Sequence, residues 1–126
     1  MRKKNMKKIL IVEDDSFLQG LASRKLRAEG YEVVNASNHT ETFKALEGEK
    51  PAMILLDLLL PEVDGFEILK RIRENPATKS LPVIVFSNLS EDKDIKKAQD
   101  LGVIEFMVKS NFTLDELVQK IKTVVG

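Results

Sequence analysis

Five polar side chains carry the candidate chemistry of this sequence, because each stands at or just beyond the downstream end of a short apolar run. Glu13 and Asp14 follow Ile9-Leu10-Ile11-Val12, and Asp57 follows Met53-Ile54-Leu55-Leu56. Ser87 follows Val83-Ile84-Val85-Phe86, and Lys109 follows Phe106-Met107-Val108. If the runs are parallel strands of one sheet, all five groups meet at its carboxyl edge, where open α/β sheets place their ligand sites. Three carboxylates, a hydroxyl and an ammonium then share one pocket. Carboxylates this close repel one another and need a cation. Oxygen donors with no His or Cys beside them favour a hard ion, Mg²⁺ or Mn²⁺ in its place. Mg²⁺ accepts one or two carboxylates and keeps its other positions for water and phosphate oxygens, so the set reads as half of a phosphoryl-transfer site. An aspartate can itself be the nucleophile and form an aspartyl-phosphate. Asp57 fits that role, with Lys109 as the fixed cation and Ser87 as the hydroxyl donor to the equatorial oxygens.

The elements that must position these groups are legible from periodicity. Apolar runs alternate with longer segments of helical period, the pattern of βαβ units around a parallel sheet buried on both faces. The predicted order is strand 7–13, helix 16–29, strand 31–36, helix 39–47, strand 52–57, helix 65–74, strand 82–87, helix 91–101, strand 104–108 and helix 113–125. That is an α/β fold of (βα)5 type, one domain with a doubly wound five-stranded parallel sheet ordered 2-1-3-4-5. Its switch point lies between the first and third strands, beside Asp14 and Asp57. Ser16 with Gln19, Asn38 with Glu41, Asp64 with Glu67 and Thr113 with Glu116 resemble helix-start signals. Gly30, Gly48 and Gly102 mark helix stops. On the first helix Leu18, Leu21, Ala22 and Leu26 form one apolar stripe, with Phe17 at its rim as an edge core residue.

Composition narrows the function classes. The chain has 126 residues, enough for one domain with its own core. Lys plus Arg equal Asp plus Glu at 20 each, so there is no net field to draw in a polyanion, and direct nucleic-acid binding is not expected. The absence of cysteine excludes disulfides and thiolate metal sites and agrees with a reducing cytoplasmic setting. The single histidine, His39, reads as a solvated residue at a helix start. Arg2, Lys3, Lys4, Lys7 and Lys8 make a basic start, read as a solvated tail over residues 1–6 ahead of a domain at 7–126. The apolar stretch after it is too short for a secretory signal, and no membrane insertion is expected.

Taken in order, Ile9 to Asp15, Asp57-Leu58-Leu59-Leu60-Pro61-Glu62-Val63-Asp64-Gly65, Ser87 and Phe106-Met107-Val108-Lys109 carry a family likeness. The chain resembles the receiver domain of bacterial two-component response regulators, from about Lys7 to Val125. The resemblance implies that Glu13 and Asp14 are the acidic pair, with Asp14 a direct Mg²⁺ ligand and the backbone carbonyl of Leu59 completing the protein ligands with Asp57. It implies that Asp57 accepts a phosphoryl group from a histidine kinase or histidine phosphotransfer protein. It further implies that Ser87 swings toward that group and the aromatic Phe106 turns inward behind it. The face made by helix 91–101, strand 104–108 and helix 113–125 would then change its affinity for a downstream protein target.

Several positions depart from the family's pattern. Ser110 replaces the usual proline after Lys109, which predicts a trans peptide and a differently shaped loop. Asn88 stands where a small residue often leaves the phosphoryl group accessible. Leu59 and Leu89 occupy positions where polar side chains in relatives orient attacking water, so slow dephosphorylation is expected. An exposed Phe17, with Leu18, would suit docking of the phosphodonor. The chain ends with the last helix, which predicts a stand-alone regulator, monomeric or a weak phosphorylation-dependent dimer, and not an enzyme beyond its own phosphorylation and its slow reversal. The alternatives are an aspartyl-nucleophile phosphatase, which would need an acid where Leu59 stands, and a receiver-like scaffold that is not phosphorylated.

Overall fold

Strands filled with aliphatic side chains on both sides need cover on both faces, and the fold supplies it. The computed structural model describes residues 6–126; Arg2, Lys3 and Lys4 of the predicted tail lie outside the described residues. In chain order the elements are β1 (Lys8–Val12), α1 (Ser16–Ala28), β2 (Glu32–Ala36), α2 (His39–Glu47) and β3 (Met53–Leu56). They continue with α3 (Gly65–Glu74), β4 (Val83–Ser87), α4 (Asp92–Asp100), β5 (Glu105–Val108), a 3₁₀ turn (Lys109–Asn111) and α5 (Leu114–Val125). The strands are all parallel and ordered β2-β1-β3-β4-β5, the predicted topology. Among the described residues no helix is long and apolar enough to cross a membrane.

Alternation along each strand divides the core in two. Ile9, Ile11, Met53, Leu55, Ile84, Phe86 and Met107 point to one side, where Ala22 and Leu26 of α1 and Leu117 and Ile121 of α5 cover them. Leu10, Val12, Ile54, Leu56, Val83 and Val85 point to the other, against Leu46 of α2, Ile68, Leu69 and Ile72 of α3 and Ala98 of α4. Each fully buried aliphatic side chain stabilises the fold by roughly 1.5–3 kcal/mol, so the two layers hold the sheet rigid beneath its carboxyl edge. α4 is the thin part of this cover, since Ala98 is its only buried residue.

The helix starts show how local chemistry sets the boundaries. The side chains of Asn38, Asp64 and Thr113 cap α2, α3 and α5 as predicted, and Thr113 with Glu116 forms a reciprocal capping box. At α1 the expectation was off by one residue. Asp15, not Ser16, is the cap, its Oδ1 accepting from the amides of Phe17 and Leu18 at 3.0 and 3.1 Å. Of the basic residues that follow the tail, Lys7 is exposed and its Nζ donates to the Val125 carbonyl, while Lys8 is half-buried and its Nζ donates to that of Glu49. His39 is half-buried rather than solvated, and its Nδ1 has no hydrogen-bond partner.

One glycine is required by a close approach. A Cβ on Gly65 would stand 2.4 Å from Leu58 Cα and 2.7 Å from the Asp57 carbonyl oxygen, distances that side chains do not tolerate. The first turn of α3 therefore rests directly on the chain leaving β3, and the Gly65 amide donates to the Leu58 carbonyl at 2.9 Å. Gly65→Ala should lower stability by about 1–3 kcal/mol, read as a drop in the urea midpoint at unchanged slope. An unaltered midpoint would show that the backbone at Asp57 is not held from this side.

Candidate functional site

The carboxyl edge brings together the residues singled out by the sequence. Asp57 is the first residue after β3, and its amide donates to the Val12 carbonyl at 3.0 Å. Glu13 follows β1 and donates its amide to the Ala36 carbonyl of β2, also at 3.0 Å. Ser87 ends β4 with Val108 as its register partner in β5, so Lys109 leaves the sheet beside Ser87. Glu13, Asp57 and Ser87 are buried, whereas Asp14 is exposed.

Lys109 is the electrostatic centre of this edge. Its Nζ lies 2.8 Å from Glu13 Oε1 and 2.9 Å from Asp57 Oδ2, bridging two carboxylates that would otherwise repel each other out of contact with water. Each carboxylate has a second anchor. Glu13 Oε2 accepts from the Asp15 amide at 3.1 Å, and Asp57 Oδ1 accepts from the Leu59 amide at 3.0 Å. Burial pushes the Glu13 carboxyl above its ordinary pKa, and the hydrogen bond from Lys109 only partly offsets this. Burial pulls the Lys109 ammonium down, but its bonds to Glu13 and Asp57 outweigh that and hold it above its ordinary value.

The three carboxylates suit a hard cation. One oxygen each from Glu13, Asp14 and Asp57 lies within 4.8 Å of the others, with no nitrogen or sulfur ligand in the set. Oxygen-only donors with two or three negative charges fit Mg²⁺ or Mn²⁺ and disfavour softer ions. The Lys109–Ser110 peptide is trans, as expected without proline, and the chain turns there through the 3₁₀ turn.

Around the site the remaining candidates separate. Phe17 is 74% exposed, so it is a surface aromatic and not an edge core residue, while Leu18 packs against the core. Leu59 is half exposed at the mouth of the site. Asn88 is exposed, and the Leu89 amide donates to Ser87 Oγ at 3.4 Å. Leu89 and Phe106 both pack on the core layer shared with α3 and α4, with Phe106 half-buried. Sequence reasoning passed over two supports. Gln19, taken for a capping partner, instead donates its side-chain amide to the Glu13 carbonyl at 2.9 Å. Arg73 donates to the carbonyls of Lys79, Leu81, Leu101 and Gly102, tying the loop before β4 to the turn after α4. Neither carries a motif; both are ordinary polar residues until the chain is folded.

A family model for the response regulator receiver domain matches residues 9–122. The chain belongs to this family. Receiver domains act in two-component systems, bind Mg²⁺ at an acidic pocket and interact with histidine kinases and downstream targets. The transcriptional regulatory protein KdpE of Staphylococcus aureus is 37% identical over 117 residues, covering 93% of this chain and 49% of that protein. The alkaline phosphatase synthesis transcriptional regulatory protein PhoP of Bacillus subtilis is 33% identical over 119 residues, covering 94% and 48%. This receiver domain thus spans about half the length of the curated relatives it matches. Among solved structures, the phosphorylated cyanobacterial phytochrome response regulator RcpA superposes with a TM-score of 0.81 at 34% identity, covering 94% of this chain and 91% of that one. The Mn²⁺-bound form of response regulator Rcp1 gives 0.83 at 30%, covering 93% and 92%.

Because Lys109 is the shared counter-charge of two buried carboxylates, Lys109→Met should destabilise the metal-free protein by on the order of 3 kcal/mol. Urea unfolding in the presence of a chelator measures this, and an unchanged midpoint would mean that the ion pairs are energetically idle.

Proposed function

We propose that this receiver domain is the phosphoacceptor switch of a histidine-to-aspartate phosphorelay, with residues 7–126 as the folded unit and Asp57 as the residue modified. The observation that carries the reading is the buried Asp57 carboxylate, 2.9 Å from Lys109 and clustered with Glu13 and Asp14 at the sheet edge. Asp14, Asp57 and the Leu59 backbone carbonyl would hold Mg²⁺, with Glu13 beside them. Bound there, the ion would neutralise charge on the equatorial oxygens of an incoming phosphoryl group.

The protein's own residues do the rest. A carboxylate oxygen of Asp57 attacks phosphorus on the phosphohistidine of a kinase or phosphotransfer protein; the P–N bond breaks, and the departing imidazole takes up a proton. Lys109, already held at Asp57, pairs with the new phosphoryl charge, and the Ser87 hydroxyl donates to one of its oxygens, with Asn88 at the rim. Moving Ser87 disturbs the Leu89 amide bonded to it and the core layer where Leu89 and Phe106 pack against α3 and α4. That link supports a population shift in the face made by α4, β5 and α5, which a downstream protein would read. Phe17, exposed two residues beyond Asp15, with Leu18, offers the phosphodonor a docking surface.

Incubation with acetyl phosphate and Mg²⁺ should add a single phosphoryl group by intact mass, lost with a chelator and in Asp57→Asn; an adduct retained in that variant would overturn the assignment. Leu59 and Leu89 cannot hydrogen-bond a water in line with the phosphorus, so the phosphoryl group should persist for many minutes in the isolated protein. Decay within seconds, followed by the same mass measurement, would contradict this.

A further inference from the structure

We propose that Gln19 is a positioning residue for the acidic pair, setting metal affinity by holding the peptide between Glu13 and Asp14; this rests on the Mg²⁺ reading above. Glu13 lies just past the last rung of the ladder between β1 and β2. Its amide is still paired, to Ala36, but its carbonyl has passed beyond any strand that could donate to it. The Gln19 side chain supplies the missing donor from α1. Nε2 donates to the Glu13 carbonyl at 2.9 Å and to the Ala36 carbonyl at 3.4 Å, so one amide spans the ends of two strands.

The consequence falls on Asp14. The carboxylates of Glu13 and Asp57 are fixed directly, by Lys109 and by the amides of Asp15 and Leu59. Among the described residues Asp14 has no such partner: its side chain accepts no hydrogen bond, forms no ion pair and is exposed. The starting point and direction of its Cα–Cβ bond are therefore set by its backbone alone. The Glu13 carbonyl and the Asp14 amide belong to one rigid plane, so fixing the carbonyl fixes the plane from which the Asp14 side chain departs. Without the donor, that plane turns to seek water and takes the Asp14 carboxylate with it. With Gln19 in place the cavity it lines beside Glu13 and Asp57 measures about 10 Å³, at the lower limit for a single water.

The test is Mn²⁺ binding to the unphosphorylated protein, followed by the electron paramagnetic resonance of free Mn²⁺. The set, at pH 8, is the parent, Asp14→Asn, Gln19→Met and Gln19→His, the last restoring an uncharged N–H donor at the same number of bonds from Cα. Gln19→Met should raise Kd by roughly tenfold or more, the usual effect of losing a group that orients a ligand, and Gln19→His should recover most of it. A Kd for Gln19→Met within about twofold of the parent overturns the proposal, even if its melting temperature falls, because a merely structural glutamine would behave that way. A loss that Gln19→His does not recover overturns it as well, since the donated hydrogen bond is then not the cause. If Gln19→Met fails to melt cooperatively, Gln19→Asn, whose amide is one methylene too short, is read by the same criteria. A parent that binds no Mn²⁺, or binds it indifferently to Asp14→Asn, overturns the metal reading itself and this inference with it.

Discussion

Two carboxylates buried side by side need a counter-charge, and the single ammonium of Lys109 provides it for Glu13 and Asp57 together. Much of the architecture can be understood as the means of delivering that charge. β1 and β3 are neighbours, so Glu13 and Asp57 emerge next to each other, but β5 is separated from β3 by β4. A lysine leaving β5 must reach across the end of β4, where the strand ends in a small residue, Ser87. One ammonium offsets only one of these carboxylates, and the negative charge left over, with Asp14 beside it, is what makes the site receptive to further positive charge.

The fold was legible because its signals are local and redundant. Fully apolar runs at regular spacing dictate a sheet buried on both faces, and caps such as Asn38, Asp64 and Thr113 act over three residues of chain. The candidate site was legible because four strand ends carried its five polar residues, two of them after β1. What escaped was decided by contacts between segments. Asp15 and Ser16 are equally plausible caps on paper; the choice went to the residue whose carboxylate reaches two amides at once. His39 sits in helix-start company in the sequence, yet packing half-buries its ring. Phe17 looked like part of an apolar stripe, but its position in the first turn of α1 turns it away from the core.

Gln19 and Arg73 illustrate a second kind of illegibility. Each satisfies backbone carbonyls that the sheet and helices leave over, and such leftover acceptors exist only once strand ends and loops are in place. A glutamine in a helix or an arginine near its end has many uses, and nothing in its neighbours along the chain says which one applies.

Gly65 gives the site an uneven mechanical surround. On the α3 side of Asp57 the first turn of the helix rests on bare backbone, fixed by the Asp64 cap and the Gly65 amide. On the β4 side the chain beyond Ser87 leads to α4, which has no side-chain cap at its start and a single buried residue, while Arg73 pins its far end. The two flanks of Asp57 are thus held unequally: close-packed backbone on the α3 side, and on the β4 side a segment anchored mainly at its far end.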